Sequence, residues 1–184
     1  MMRYLFFFIV IFVSACSSQP VAQKHYYLLR SDSPVETGMR QQAPQYSLQS
    51  VKVATYLDQS GLVLETAEGK IVIARQHQWA EPLRLSLPGF LAAEIGVALN
   101  QEVAIHDASS TATQINVSID QLHGNAQGEV KMVAYWSAIA ADGSRRAGQF
   151  SDVEDISSDG YEAMVRAEQD LLIRFSQKMG DALK

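Results

Sequence analysis

The stretch TQINVSIDQLHGNAQGEVKMVAYWSAIAADGSRRAGQFSDVEDI, residues 113–156, decides the fold of this chain. In its first third, Ile115, Val117 and Ile119 alternate with polar neighbours, the period of a strand with one buried face. GNAQG (124–128) interrupts, and EVKMVAYWSAIA (129–140) resumes. Here Val130, Met132, Ala134, Trp136 and Ala138 share one face. Val133, Tyr135 and Ile139 give the opposite face apolar content too, which predicts a central strand covered on both sides. Asp142-Gly143 is a strong hairpin signal, and AGQFSDVEDI (147–156) returns. Three strands joined by short turns read as an antiparallel meander.

Outward toward the C-terminus, the period changes from 2 to 3.6. Tyr161, Met164, Val165, Leu172, Phe175 and Met179 form one helical stripe. Asp159, with Glu162 three residues on, reads as a capping box that starts this helix. Toward the N-terminus, Leu83, Leu87, Leu91, Ile95 and Leu99 recur every four residues and predict a second helix. Pro82 suits its first turn. Pro88 removes a donor inside the pattern and predicts a bend, or a start near Leu87. Before it, GLVLET (61–66) and KIVIAR (70–75) form a hairpin around Glu68-Gly69. YSLQSVKVA (46–54) alternates as a strand, residues 31–45 form a long loop with Pro34 and Pro44, and HYYLL (25–29) is a short β-prone run. The sum is an α+β fold, a mostly antiparallel sheet with two main helices packed on one face. Residues 25–184 suit a single domain.

The extreme N-terminus has a different logic. MMR is followed by ten apolar residues, Tyr4 to Val13, then Ser14, Ala15 and Cys16. One cation, a short apolar run and small residues are the parts of a secretory signal. The run is too short for a bilayer span, which needs about 20 residues. Val13-Ser14-Ala15-Cys16 resembles a bacterial lipobox, which implies cleavage after residue 15 and acylation of Cys16, whose sulfur is the nucleophile. Cys16 is the single cysteine of the chain, so an internal disulfide is impossible. Residues 1–15 are thus expected to be a lipoprotein signal peptide and 16–24 a lipidated tether. Ser17 rather than Asp after the cysteine resembles the pattern of sorted lipoproteins, which implies the outer membrane, periplasmic face. Residues 17–24 reach at most about 28 Å when extended.

The net charge of −5 argues against nucleic-acid binding and against electrostatic docking on anionic lipid. Chemistry-bearing motifs are sparse. No G-x-S-x-G or phosphate loop occurs. His25, His77, His106 and His123 lie far apart in sequence, without metal-ligand spacing. Asp155, Ser157, Asp159 and Gly160 match the opening of a calcium loop, but its twelfth position, which needs a bidentate acid, is Arg166. Trp79 and Trp136 read as core residues. No catalytic residue, metal site or cofactor is expected, and nothing marks the chain as an enzyme.

YYLL (26–29), YLDQSGLVLET (56–66), IVIARQHQWAEPL (71–83) and DGYEAMV (159–165), in this order behind a lipobox, resemble the ABC-type transport auxiliary lipoprotein family. Pro88 departs from that pattern. The resemblance implies a non-enzymatic part of a lipid-trafficking machine: an outer-membrane lipoprotein that docks a periplasm-spanning tube built by an MCE-domain protein, which in turn joins an inner-membrane component. A ring-built tube also implies a matching homo-oligomer of this chain. The exposed parts of 31–45 and of Tyr56 to Gly61 are the expected contacts. The alternative is an outer-membrane regulator of a peptidoglycan synthase. Such activators need a long tether to pass the wall, and eight residues count against it.

Overall fold

The computed structural model describes residues 23–32, 43–107, 111–158 and 160–184. The elements in order are β1 (His25–Tyr27), β2 (Tyr46–Val53), β3 (Gly61–Glu65), β4 (Ile71–Trp79), α1 (Leu83–Leu99), β5 (Val103–Ile105), β6 (Thr113–Gly124), β7 (Glu129–Ile139), β8 (Arg145–Asp155) and α2 (Tyr161–Leu183). The meander is present: β6 pairs antiparallel with β7 over its length, and β7 with β8. Its register slips at Asp120, between Ile119 and Gln121, a bulge that keeps Ile119 and Leu122 both buried.

The fold is α+β, and the sheet is mixed. β3 and β4 form the expected hairpin, with Gly69 at φ +73°. β2, however, runs parallel to both β6 and β5, and β1 runs parallel to β4. The segment from β3 through α1 is a crossover that returns the chain to β2's side in the same direction. β5, three residues long, gave too short a pattern to read as a strand.

α1 and α2 pack against each other; α1 lies on β2 and β5, and α2 on β6, β7 and β8. Both helices cover one face of the sheet. The expectation that β7 is covered on both sides is therefore corrected. Val130, Met132, Ala134 and Ala138 point under α2 and are buried, whereas Tyr135 on the other face is 45% exposed. Val133 is buried, but Lys131 and Tyr135 flank it on that face, and among the described residues no helix lies there.

α1 begins at Leu83, with Pro82 as its N-cap, and continues through Pro88. The start is four residues earlier than a start at Leu87. The Pro82 carbonyl accepts from the amides of Leu85 and Ser86, at 2.8 and 3.3 Å. The carbonyl that Pro88 cannot serve belongs to Arg84, an exposed residue that water can reach. Asn100, left-handed at φ 53°, closes the C-terminus. For α2, Glu162 lies in the first turn and Gly160 is the N-cap, without a side-chain capping bond. Asp159, the other half of the expected capping box, lies outside the described residues. Where α2 packs on α1, a Cβ on Gly180 would stand 2.5 Å from that of Ala98. That contact selects glycine for its size.

Candidate functional site: the β1–α2 corner and the β4 edge

The parallel pairing of β1 with β4 sets His25 opposite His77. Their rings stack at 4.9 Å, and Tyr161, the first residue of α2, stacks on the other side of His77 at 4.0 Å. The Tyr27 hydroxyl and His77 Nδ1 share a 2.8 Å hydrogen bond. So two of the four histidines, far apart in sequence, come together in the fold. Sequence alone could not see it, because 52 positions separate a pair that only strand register joins. Loss of water around His77, and then the neighbouring His25, push its pKa down. Tyr27 itself is raised, first by burial and then by Glu162. The cluster pins the first strand to the sheet and to the start of α2. A second contact helps: Gln169 Nε2 donates to the Leu28 carbonyl.

Beside this pin lies a solvent-open cleft of about 560 Å³. Lys24, His25, Tyr26 and Tyr27 form one wall, and Glu162, Val165 and Arg166 of α2 form the other.

The remaining candidates find structural roles. His123 is buried, edge-on to Tyr56 at 5.8 Å. Burial, then Asp120 and Glu65, push the Tyr56 phenol up to about 12, so it stays protonated and donates to the Asp120 carbonyl. His106 is exposed at φ 54°. Of the calcium-like positions, Asp155 is exposed and Asp159 lies outside the described residues; the acids just before them pair with cations of the protein, Asp152 with Arg174 at 3.2 Å and Lys178 at 3.9 Å, and Glu154 with Arg174. These pairs tie β8 to α2. Trp79 is core, 5% exposed. Trp136 is half-buried and lies over Gly148, where an added Cβ would meet the indole nitrogen at 2.6 Å. Cys16 and residues 33–42 of the expected contact loop lie outside the described residues. In 56–61, Leu57 is buried and Asp58 pairs with Arg84 at 3.5 Å, which leaves Gln59 and Ser60 as its exposed part.

One surface escaped the sequence reading. β4 pairs with β3 on one edge, and with β1 on the other only at residues 77–79. Along 71–75 the outer edge has no strand partner among the described residues. Ile71, Val72 and Ile73 are 43%, 48% and 44% exposed. The opposite end of the sheet, β8, is guarded by Arg145, Arg146, Asp152, Glu154 and Asp155, as edges that stay unpaired usually are. The signal in the sequence was three consecutive apolar residues in a hairpin strand, with no polar alternation.

The model of the ABC-type transport auxiliary lipoprotein component matches residues 26–180. The chain belongs to this family. Among relatives of the auxiliary lipoproteins, the intermembrane transport lipoprotein PqiC of Escherichia coli is 27% identical over 90% of this chain and 89% of its own length. PqiC of Shigella flexneri matches equally. A crystal structure of an uncharacterized protein superposes with a TM-score of 0.76 at 25% identity, over 88% of this chain and 99% of the other. A Xanthomonas campestris protein shares the fold at 13% identity, with a TM-score of 0.62 over 84% and 92% of the two chains. The family is one of transport auxiliary components rather than enzymes. Among the described residues no helix is long and apolar enough to cross a membrane, and no group of three or more His, Cys, Asp or Glu could hold a metal ion.

Proposed function

We propose that this chain is the outer-membrane lipoprotein of an MCE-type intermembrane lipid transport system. It is anchored at the periplasmic face by acyl chains on Cys16. It docks the far end of a tube formed by a PqiB-like MCE-domain protein, which connects to an inner-membrane component. The observation that carries the reading is the family match across nearly the whole domain, with PqiC among its relatives. The short tether agrees: a domain held within about 28 Å of its membrane needs a partner that supplies the remaining distance. A peptidoglycan-synthase regulator would have to reach outward instead.

The open β4 edge supports an assembly role. A second copy of this chain adds a strand there, burying Ile71, Val72 and Ile73 and building the ring that a ring-shaped tube requires. The test is a mild-detergent pull-down of the tagged, full-length protein from envelopes, with mass spectrometry. Recovery of an MCE-domain protein is the expected result; a peptidoglycan synthase without it would overturn the proposal. Val72→Lys should lower self-association at least tenfold by analytical ultracentrifugation. The same variant should unfold within about 0.5 kcal/mol of the wild type, since the side chain is half exposed. Unchanged self-association would show that the edge is not the contact.

A further inference from the structure

The residues that follow the tether alternate in an informative way. His25, Tyr27 and Leu29 turn inward: His25 to the imidazole stack, Tyr27 half-buried against the core, Leu29 buried. Lys24, Tyr26 and Leu28 turn outward, with Tyr26 60% and Leu28 55% exposed. A cation, an amphipathic aromatic and an aliphatic side chain thus stand in a row on the outside of the first strand. Across the cleft from this row is Arg166, exposed and, like Lys24, without an ion-pair partner among the described residues. Glu162 shares the cleft and leaves a local balance of two cations to one acid.

From these observations we infer that the row Lys24–Tyr26–Leu28, together with Arg166, is a docking surface for the phospholipid headgroup layer. Lys24 and Arg166 take the phosphates, the Tyr26 phenol sits at headgroup level, and Leu28 enters the boundary of the acyl region. The choice of a bilayer as occupant rests on the reading of Cys16 as the acylated residue. Lys24 is the last residue of the tether, so this surface is the first part of the domain that the membrane meets. The net negative charge opposes docking by long-range electrostatics, but contact here rests on two apolar side chains and two local cations. The rigid pin at His77 gives the row a fixed attitude, so docking would set the orientation of the whole domain on the membrane.

The chain offers a direct test, because Cys16 is its single cysteine and is blocked by acylation. Leu28→Cys and, as a control on exposed β8, Ser151→Cys are each labelled with a polarity-sensitive fluorophore on the full-length acylated protein. Both are reconstituted into phosphatidylethanolamine–phosphatidylglycerol vesicles. Flotation tests the anchor, and quenching by aqueous iodide tests the docking. The expected result is co-flotation of both proteins, with quenching of the Leu28→Cys label at least threefold weaker than that of the control. Adding Lys24→Glu and Arg166→Glu should abolish the difference. Co-flotation with equal quenching overturns the docking surface and leaves the anchor intact. Failure to co-float overturns the anchor reading, and the docking surface with it.

Discussion

Cys16→Ala is expected to remove the protein from the outer-membrane fraction altogether. Without the thiol there is no sulfur to accept a diacylglyceryl group, and a lipoprotein signal is not cut before an unmodified residue. The variant should therefore run as a precursor larger by residues 1–15, take up no labelled palmitate, and sediment with the inner membrane through its ten-residue apolar run. The size of the effect follows from the chains themselves. At about 0.8 kcal/mol per buried methylene, the three acyl chains that the proposed lipidation of Cys16 would supply exceed the two anchors that stable attachment needs, and no chain at all leaves nothing comparable. The side chains of the proposed docking row, at about 1.5–3 kcal/mol for each fully buried apolar residue, cannot replace them. Fold should be untouched, because the family match begins at residue 26, beyond the tether. Palmitate labelling of the variant, or its recovery at mature size in the outer membrane, would overturn the assignment.

What could be read in the sequence was whatever rests on local pattern. The meander, the β3–β4 hairpin and both helices are written in periods of 2 and 3.6, and they are where the pattern put them. Residues such as Met132, Leu87 and Phe175 are buried as their spacing required. What could not be read depends on partners distant in the chain. The parallel pairing of β2 with β6 joins Leu48 to Ile115, and no local signal states that direction. The stack of His25, His77 and Tyr161 needs the β1–β4 register and the entry of α2 together. Apolar content on the second face of β7 misled for a related reason. Tyr135 is apolar by composition, yet it stands in solvent beside Lys131 and Ser137, because the helices lie on the other side. At the candidate site, the period-2 row of Lys24, Tyr26 and Leu28 was visible as letters. Which side faced outward was not.

Glu168 carries the second large expectation. It lies on the buried stripe of α2, is 2% exposed, and its Oε2 has no hydrogen-bond partner. Burial pushes its pKa well above 4.5. The native state holds this proton where the unfolded chain releases it, so the sign follows directly. The contribution to stability is fully present below about pH 4.5 and is lost progressively as pH rises from there toward the raised native value. Glu168→Gln keeps the shape and removes the titration. The difference in unfolding free energy, variant minus wild type, should therefore grow in favour of the variant between pH 4.5 and pH 8. Glu168→Met also removes the unpaired oxygen, and should stabilise the protein at pH 8 by about 1–3 kcal/mol, the cost of an unsatisfied buried polar group. Denaturant titrations of the three proteins across this pH range decide it. A difference that stays flat with pH would mean that the carboxyl titrates alike in both states. A loss of stability in Glu168→Met would mean that the carboxyl has a stabilising partner in the folded protein, such as a buried water.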